Sequence, residues 1–339
     1  MTEPKLLYRI PGNCYSEMIF PGSNLCYCGI LFNILEALSP EIENFEKHFL
    51  MDYVTFDCIY GSLSIATAVV VLVLYCLIFK IILSDYEFRN SLAYRFIILL
   101  GVFDLMEAGV HCVTGIVQID DSVYSEFLGN LLGSILIPAY FCYNLTSFLL
   151  AFVRCIQIVF PTYETILFGS NRGNCWLFIV VAVFLPYCGL MYSPLSQCWY
   201  NVTRYTWDYD FNRPLSFFAK NFEQYIQQTI IFATFGLYLV IFFVLWKMRN
   251  SSASPARLGL RVLYQTFIVT IYCTVLNLLN HNVWWINSKG DPLIFAILNY
   301  CWLLNTAVFP VSLFLTNRVM QRRVVFSLTK INKAVVSSA

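Results

Sequence analysis

Seven stretches of this chain are apolar for long enough to cross a bilayer, and no other feature restricts the fold as much. They run from about Cys58 to Phe79, Leu92 to Val117, Leu128 to Val153, Cys175 to Tyr192, Gln224 to Trp246, Val262 to Val283 and Leu293 to Leu315. A spanning helix needs roughly 20 apolar residues, because lipid offers no partner to backbone N–H and C=O groups. Ordinary soluble domains are about 25% charged, whereas this chain is 12% charged and 59% hydrophobic. The expected fold is an all-α integral membrane protein, a seven-transmembrane helix bundle. Pro186 and Pro310 fall inside runs, where neighbouring helices can satisfy the carbonyls that proline frees.

Before the first run, residues 1–57 are mixed in character and acidic towards their end, which predicts an exposed terminal region. Its apolar patch, Leu25 to Leu35, is too short to span. The bundle is expected over residues 58–316 and a tail over 317–339. Two thirds of the 21 Lys and Arg fall in the first, third and fifth loops and in the tail. The positive-inside rule therefore puts the N-terminus outside and the C-terminus in the cytoplasm. Asn201-Val202-Thr203, in an outer loop, makes Asn201 a glycosylation candidate. The segment Asn317 to Lys330 predicts a short amphipathic helix, with Val319, Met320, Val324 and Leu328 in the interface and arginines at anionic headgroups.

The second run is the one that lipid tolerates least. Asp104, Glu107 and His111 are spaced three and four apart and so share one helical face with Gly101, Ala108, Gly115 and Gln118. Leu99, Val102, Met106, Val113 and Val117 point the other way. A charge at the bilayer centre costs roughly 2.5 to 3.5 kcal/mol on insertion scales, so the polar stripe must face the bundle interior. Asp104 lies about 13 residues from the cytoplasmic end, roughly 20 Å at 1.5 Å per residue. Asn305 and Asn144 fall at comparable depth, which makes Asp104, Asn144 and Asn305 a candidate intramembrane polar network. Two asparagines alone would be explained as interhelical contacts worth about 0.6 kcal/mol each; the acid asks for more, in state switching or ion binding.

Glu107 and His111 lie one and two turns nearer the outside. They either pair with each other or line a ligand cavity. Asn277, Asn280 and His281 on the sixth helix, with Asn299 and Tyr300 on the seventh, supply the mixture of aromatic walls and placed polar groups that pockets favour. Together with Glu107 and His111 these are the ligand-binding candidates. Trp284 and Trp285 read as interfacial anchors. Thirteen cysteines are scattered singly, and the only histidines are His48, His111 and His281. That is too few for the histidine clusters of membrane desaturases or hydroxylases. No metal, cofactor, catalytic residue or nucleic-acid partner is expected.

Several fragments carry a more specific likeness. Leu100-Gly101 with Asp104, the run Leu150-Ala151-Phe152-Val153-Arg154-Cys155, then Leu167-Phe168-Gly169 and Thr316-Asn317-Arg318 resemble the nematode serpentine chemoreceptors of class T, within the G-protein-coupled receptor superfamily. The likeness covers roughly Cys58 to Val325. It implies that Arg154 faces a heterotrimeric G protein and that Asp104 is the family's second-helix acid. It also implies a multi-pass protein of the cell membrane of sensory neurons. Val153 stands where such receptors carry an acid or Asn. At the start of the third helix Ser125 and Glu126 replace the usual cysteine, so Cys198, the disulfide candidate, lacks its expected partner unless Cys14, Cys26 or Cys28 supplies one. The seventh run has no Lys, which excludes a retinal Schiff base there.

The leading reading is a chemosensory receptor that binds a small external ligand in the outer half of the bundle and activates a heterotrimeric G protein at its cytoplasmic face. A proton-coupled or small-solute transporter using Asp104, Glu107 and His111 as a relay is the alternative, although no internal repeat is visible. An insect-type seven-helix odorant channel would need the inverted orientation.

Overall fold

The computed structural model describes residues 26–120, 122, 124–169, 172–249, 256–283, 290–316 and 321. Nine helices and one hairpin occur among them. They are α1 (Cys26–Ser84), α2 (Tyr86–Asn90), α3 (Leu92–Ile119), α4 (Glu126–Val159), α5 (Pro161–Phe168), α6 (Arg172–Tyr192), β1 (Cys198–Asn201), β2 (Thr206–Tyr209), α7 (Ser216–Arg249), α8 (Ala256–His281) and α9 (Pro292–Thr316). The chain divides into two units, residues 1–55 and 56–339. In the first, the described residues are helical. The second holds α1 from Phe56 onward, helices α2 to α9 and the hairpin.

Six helices are long and apolar enough to cross a membrane, and α8 contributes a shorter apolar stretch, Phe267–Asn280. All seven expected runs are therefore helical. The first span is longer than the sequence suggests, Val54–Ser84, and the fifth helix begins at Ser216 rather than near Gln224. The expected tail helix, Asn317 to Lys330, lies outside the described residues except for Gln321, whose amide donates to the Phe314 carbonyl (2.8 Å) at the end of α9.

Burial places α4 at the centre, because 72% of its span is enclosed by protein, against 17% for α6. The α6 side chains Phe178 and Leu185 are correspondingly exposed, at 71% and 63%, as lipid-facing residues should be. The N-terminus of α4 is fixed by Ser125, whose Oγ accepts from the Leu128 N–H at 3.1 Å. Pro138 inside α4 removes one helical donor. A few turns on, Asn144 and Thr146 bond back to the carbonyls of Tyr140 and Cys142 on their own helix.

Helix α3 packs against α1 through two glycines. A Cβ on Gly115 would sit 2.8 Å from the Gly61 carbonyl oxygen, and a Cβ on Gly61 would collide with the Gly115 carbonyl in turn. Such reciprocal small-residue contact lets membrane helices approach backbone to backbone. The α3 polar stripe is buried as its spacing required, with Asp104, Glu107, His111 and Gln118 all below 5% exposure. Val117, which the helical spacing assigns to lipid, is buried as well. Helix α3 is enclosed on more than its polar side, since Val110 and Val113 pack with Leu132 and Leu136 of α4.

The stretch between α6 and α7 is a two-stranded antiparallel hairpin, with Cys198 opposite Tyr209 and Asn201 opposite Thr206. Its turn is held by Asn201, whose Oδ1 accepts from the N–H groups of Thr203 and Arg204, and by Tyr205 at φ 56°. Its base is tied to α7, where the Ser216 Oγ accepts from the Gln197 N–H at 3.1 Å.

Candidate functional site

The hairpin lies across one end of the bundle and is fastened at both sides. Its tip reaches α1 and α3: the Tyr205 hydroxyl and the Gln118 amide both donate to Asp57 Oδ1 at 2.5 Å, and the Tyr200 hydroxyl donates to Gln118 Oε1 at 3.2 Å. Phe56 and Tyr60 pack edge-on to the Tyr205 ring. Strand β1 meets α4 at Gly133, where any Cβ would collide with the Cys198 carbonyl. A backbone contact thus joins the hairpin to α4 two turns beyond Ser125 and Glu126. Among the described residues Cys198 has no disulfide partner and its thiol is fully buried, while the side chains of Cys14, Cys26 and Cys28 lie outside them. Burial pushes its pKa well up from the ordinary thiol range, with the Glu223 carboxylate adding to the effect.

Beneath the hairpin is a cavity of about 720 Å³. Its walls are aromatic from both sides, Trp199, Trp207 and Tyr209 from the hairpin and Tyr140 and Trp302 from α4 and α9. Asn277 and Asn280 of α8 and Asn299 of α9 line it, as their residue types suggested. Asn277 Nδ2 donates to the Tyr140 hydroxyl at 2.9 Å and Asn299 Nδ2 to the Tyr60 hydroxyl at 2.8 Å. The His281 side chain and Trp284 and Trp285 lie outside the described residues. Asn201 also lines the cavity, with Nδ2 donating to Asp208 at 2.8 Å.

Glu107, His111 and Tyr300 stand behind the wall rather than on it. Trp302 is the partition: its face belongs to the cavity, and its Nε1 donates to Glu107 Oε2 at 3.1 Å. The His111 ring meets the same indole edge-on at 5.9 Å, and Tyr140 packs on it at 4.9 Å. Glu107 and His111 therefore share Trp302, and no ion pair joins them among the described residues. Tyr300 turns to α1, where its hydroxyl is 2.9 Å from Thr67 Oγ1.

One turn deeper, Asp104 Oδ2 accepts from the Tyr75 hydroxyl of α1. Gly101 makes this possible, because a Cβ there would lie 2.5 Å from Tyr75 Cε1. Asn305 Oδ1 accepts from the Cys273 thiol of α8 at 3.1 Å. The three residues grouped by depth are all buried, but among the described residues no hydrogen bond links Asp104 to Asn144 or Asn305. Asp104 Oδ1, Glu107 Oε1, His111 Nε2 and Asn305 Nδ2 have no protein partner there either. Asp104, Glu107 and Asn305 thus each hold one hydrogen bond and leave one buried polar atom without a partner among the described residues.

A match to the serpentine type 7TM GPCR chemoreceptor Srt family spans residues 46–336. The chain belongs to this family. No curated protein is found to match it.

The opposite end of this Srt receptor is built around the last turns of α4. Ala151 and Cys155 pack there with Tyr238, Ile241 and Leu245 of α7. Arg154 stands between them in sequence and is half-buried, with no carboxylate within ion-pair distance among the described residues. Val153 beside it is buried, at 1% exposure, and contributes packing where an acid would have contributed a counter-charge. On the first short loop side, Arg95 of α3 reaches Asn174 Oδ1 of α6 at 2.6 Å, and Gln157 reaches Glu164 of α5 at 2.9 Å.

The receptor's hairpin residues and Glu223 were not foreseen as parts of the site. Glu223 is buried, at 8% exposure, lines the cavity, and accepts from the Tyr209 hydroxyl at 2.5 Å. The sequence signal for the hairpin was weak, since Thr206-Trp207-Asp208-Tyr209 alternates polar and aromatic residues but Cys198-Trp199-Tyr200 is a continuous apolar run.

Proposed function

We propose that this receptor takes a small external molecule into the cavity beneath the hairpin and, when filled, activates a heterotrimeric G protein at the end of the bundle that carries Arg154. The observation that carries the proposal is Trp302, a single side chain that is both cavity wall and hydrogen-bond donor to a buried α3 acid. A ligand pressing on the indole changes the partner of Glu107, and Glu107 shares its helical face with Asp104. Each half-satisfied group leaves a buried polar atom free to take a new partner, and a two-state switch requires such a change of partner. In this reading Asn277, Asn280 and Asn299 contact the ligand, Asp104 with its neighbours Asn144 and Asn305 sets the balance between states, and Arg154 meets the G protein.

The orientation follows from Lys and Arg. The hairpin end, with the N-terminal region and the Asn201 sequon, is outside, and the basic loops and tail are cytoplasmic. The receptor works in the cell membrane of sensory neurons. A relay transporter is disfavoured by the family and by the absence of any hydrogen bond joining Asp104, Glu107 and His111 to one another among the described residues.

The test is a G-protein-coupling assay in a heterologous cell across an odorant panel, at matched surface expression. Wild type is expected to respond above empty vector and Arg154→Ala to abolish the response. Substrate uptake or ionic current that persists without G protein would refute the proposal.

A further inference from the structure

The charges along the cavity wall are not all paired, and the open one indicates what the ligand carries, given that the cavity is the ligand site proposed above. Four ionisable side chains line it, the bases Arg204 and Lys220 and the acids Asp208 and Glu223. Both acids are engaged. Asp208 Oδ2 accepts from Asn201 Nδ2 at 2.8 Å and faces Arg204 Nη1 at 3.8 Å. Glu223 Oε2 accepts from the Tyr209 hydroxyl at 2.5 Å. The Lys220 ammonium, in contrast, has no carboxylate within ion-pair distance and makes no hydrogen bond among the described residues. It lies over the Phe211 ring, 5.1 Å from the centre, and a ring face steadies a cation without neutralising it.

Lys220 is also the more open of the two charges on this stretch of α7, half-buried where Glu223 is at 8% exposure. Four residues on, Gln224 falls on the same helical face. It too lines the cavity and is half-buried, and its amide makes no hydrogen bond among the described residues. An ammonium and an amide N–H one turn apart suit the two oxygens of a single carboxylate. Such a group would give the partly desolvated ammonium the counter-charge that the protein withholds. One negative charge is the limit, because Glu223 lies beside Lys220 on α7 and would repel a second. The indoles of Trp199, Trp207 and Trp302 leave the rest of the wall to an apolar body.

We infer that the cavity selects a small monocarboxylic acid with an apolar body, its carboxylate bonded to Lys220 Nζ beside the Gln224 amide. A neutral isostere keeps the packing of the body and loses the charge-assisted bond, and an amine meets the ammonium as a like charge.

The experiment is thermal melting of the full-length receptor, purified in an uncharged detergent at fixed ionic strength, with phenylacetate, phenylacetamide and phenethylamine. About tenfold less phenylacetate than phenylacetamide is expected to give the same rise in melting temperature, the factor that a charge-assisted hydrogen bond supplies, and phenethylamine is expected to do no better than the amide. In Lys220→Met the advantage of phenylacetate over phenylacetamide is expected to disappear while the phenylacetamide shift persists, which also shows that the variant is folded with its cavity intact. If phenylacetamide or phenethylamine matches phenylacetate on the wild type, or if the advantage of phenylacetate survives Lys220→Met, the inference is overturned and the cavity stands as a binding site of other selectivity. No shift from any compound overturns the cavity reading itself and this inference with it. G protein takes no part in the measurement, so a failure of coupling cannot be mistaken for either result.

Discussion

Tyr75→Phe removes one oxygen from the centre of the receptor and nothing else. The ring of Tyr75 is fully buried, and its hydroxyl is the hydrogen-bond donor to Asp104 Oδ2. Asp104 Oδ1 has no partner among the described residues, so the variant leaves both carboxyl oxygens unsatisfied at 0% exposure. Two magnitudes compete. Interhelical hydrogen bonds in membranes average about 0.6 kcal/mol, because the unfolded chain in lipid finds other partners. Stranding a buried acceptor costs about 1–3 kcal/mol. The second applies here, since the stripe cannot reach water without opening the bundle, and a loss of about 1–2 kcal/mol is expected. A double-mutant cycle with Asp104→Leu, read by detergent-denaturation of the purified receptor, isolates the pair: Tyr75→Phe is expected to cost less than about 0.5 kcal/mol once the carboxyl is gone. Gly101→Ala should imitate Tyr75→Phe, because its Cβ would displace the same ring. Additive losses in the cycle, or a Tyr75→Phe receptor as stable as wild type, would show that the contact with Asp104 is idle.

Three further outcomes are expected from the same geometry. Gly133→Val is expected to lift the hairpin from α4 and weaken ligand responses, whereas Cys198→Ala and treatment with reductant leave them near wild type; the check is a concentration–response curve for each at matched surface expression. Leu185→Lys, on the lipid face of α6, is expected to cost about 2.5–3.5 kcal/mol of insertion free energy, measured as membrane-integrated fraction, while Leu195→Lys in the hairpin approach leaves insertion unchanged. Asn201→Gln is expected to abolish an endoglycosidase-sensitive shift in gel mobility, which places the hairpin outside the cell.

The seven helices were legible because their signal is continuous: an uninterrupted apolar run has few solutions in lipid. The buried stripe on α3 was legible for a related reason, since three ionisable residues at helical spacing leave lipid only if they share one face. Their partners were not. Depth along each helix axis pointed from Asp104 to Asn144 and Asn305, but that argument follows backbone position, and long aromatic side chains deliver their polar atoms several ångströms away from it. Tyr75 and Trp302 became the donors to Asp104 and Glu107, and Asn144 bonded back to its own helix. The hairpin was hidden by composition, because Ser193 to Glu223 reads as a polar and aromatic loop in which Thr206 to Tyr209 alternates but Cys198 to Tyr200 does not. Without it, Trp207, Tyr209 and Glu223 had no reason to be assigned to the pocket. Cys198 drew attention as a disulfide candidate, while Gly133, which makes the actual contact with its backbone, carries no sequence signal of its own.

The central claim is that occupancy of the cavity beneath the hairpin drives a G protein at the Arg154 end. Its most direct test takes one odorant that activates wild type in a heterologous G-protein assay and compares Asn280→Trp, which fills the cavity, with Arg154→Ala, which removes the distant guanidinium. Asn280→Trp is expected to raise the concentration needed for half-response at least tenfold with the maximum retained. Arg154→Ala is predicted to abolish the response while odorant-dependent thermal stabilisation of the purified receptor persists. A response unchanged by Asn280→Trp, or a signal that survives Arg154→Ala, would contradict it.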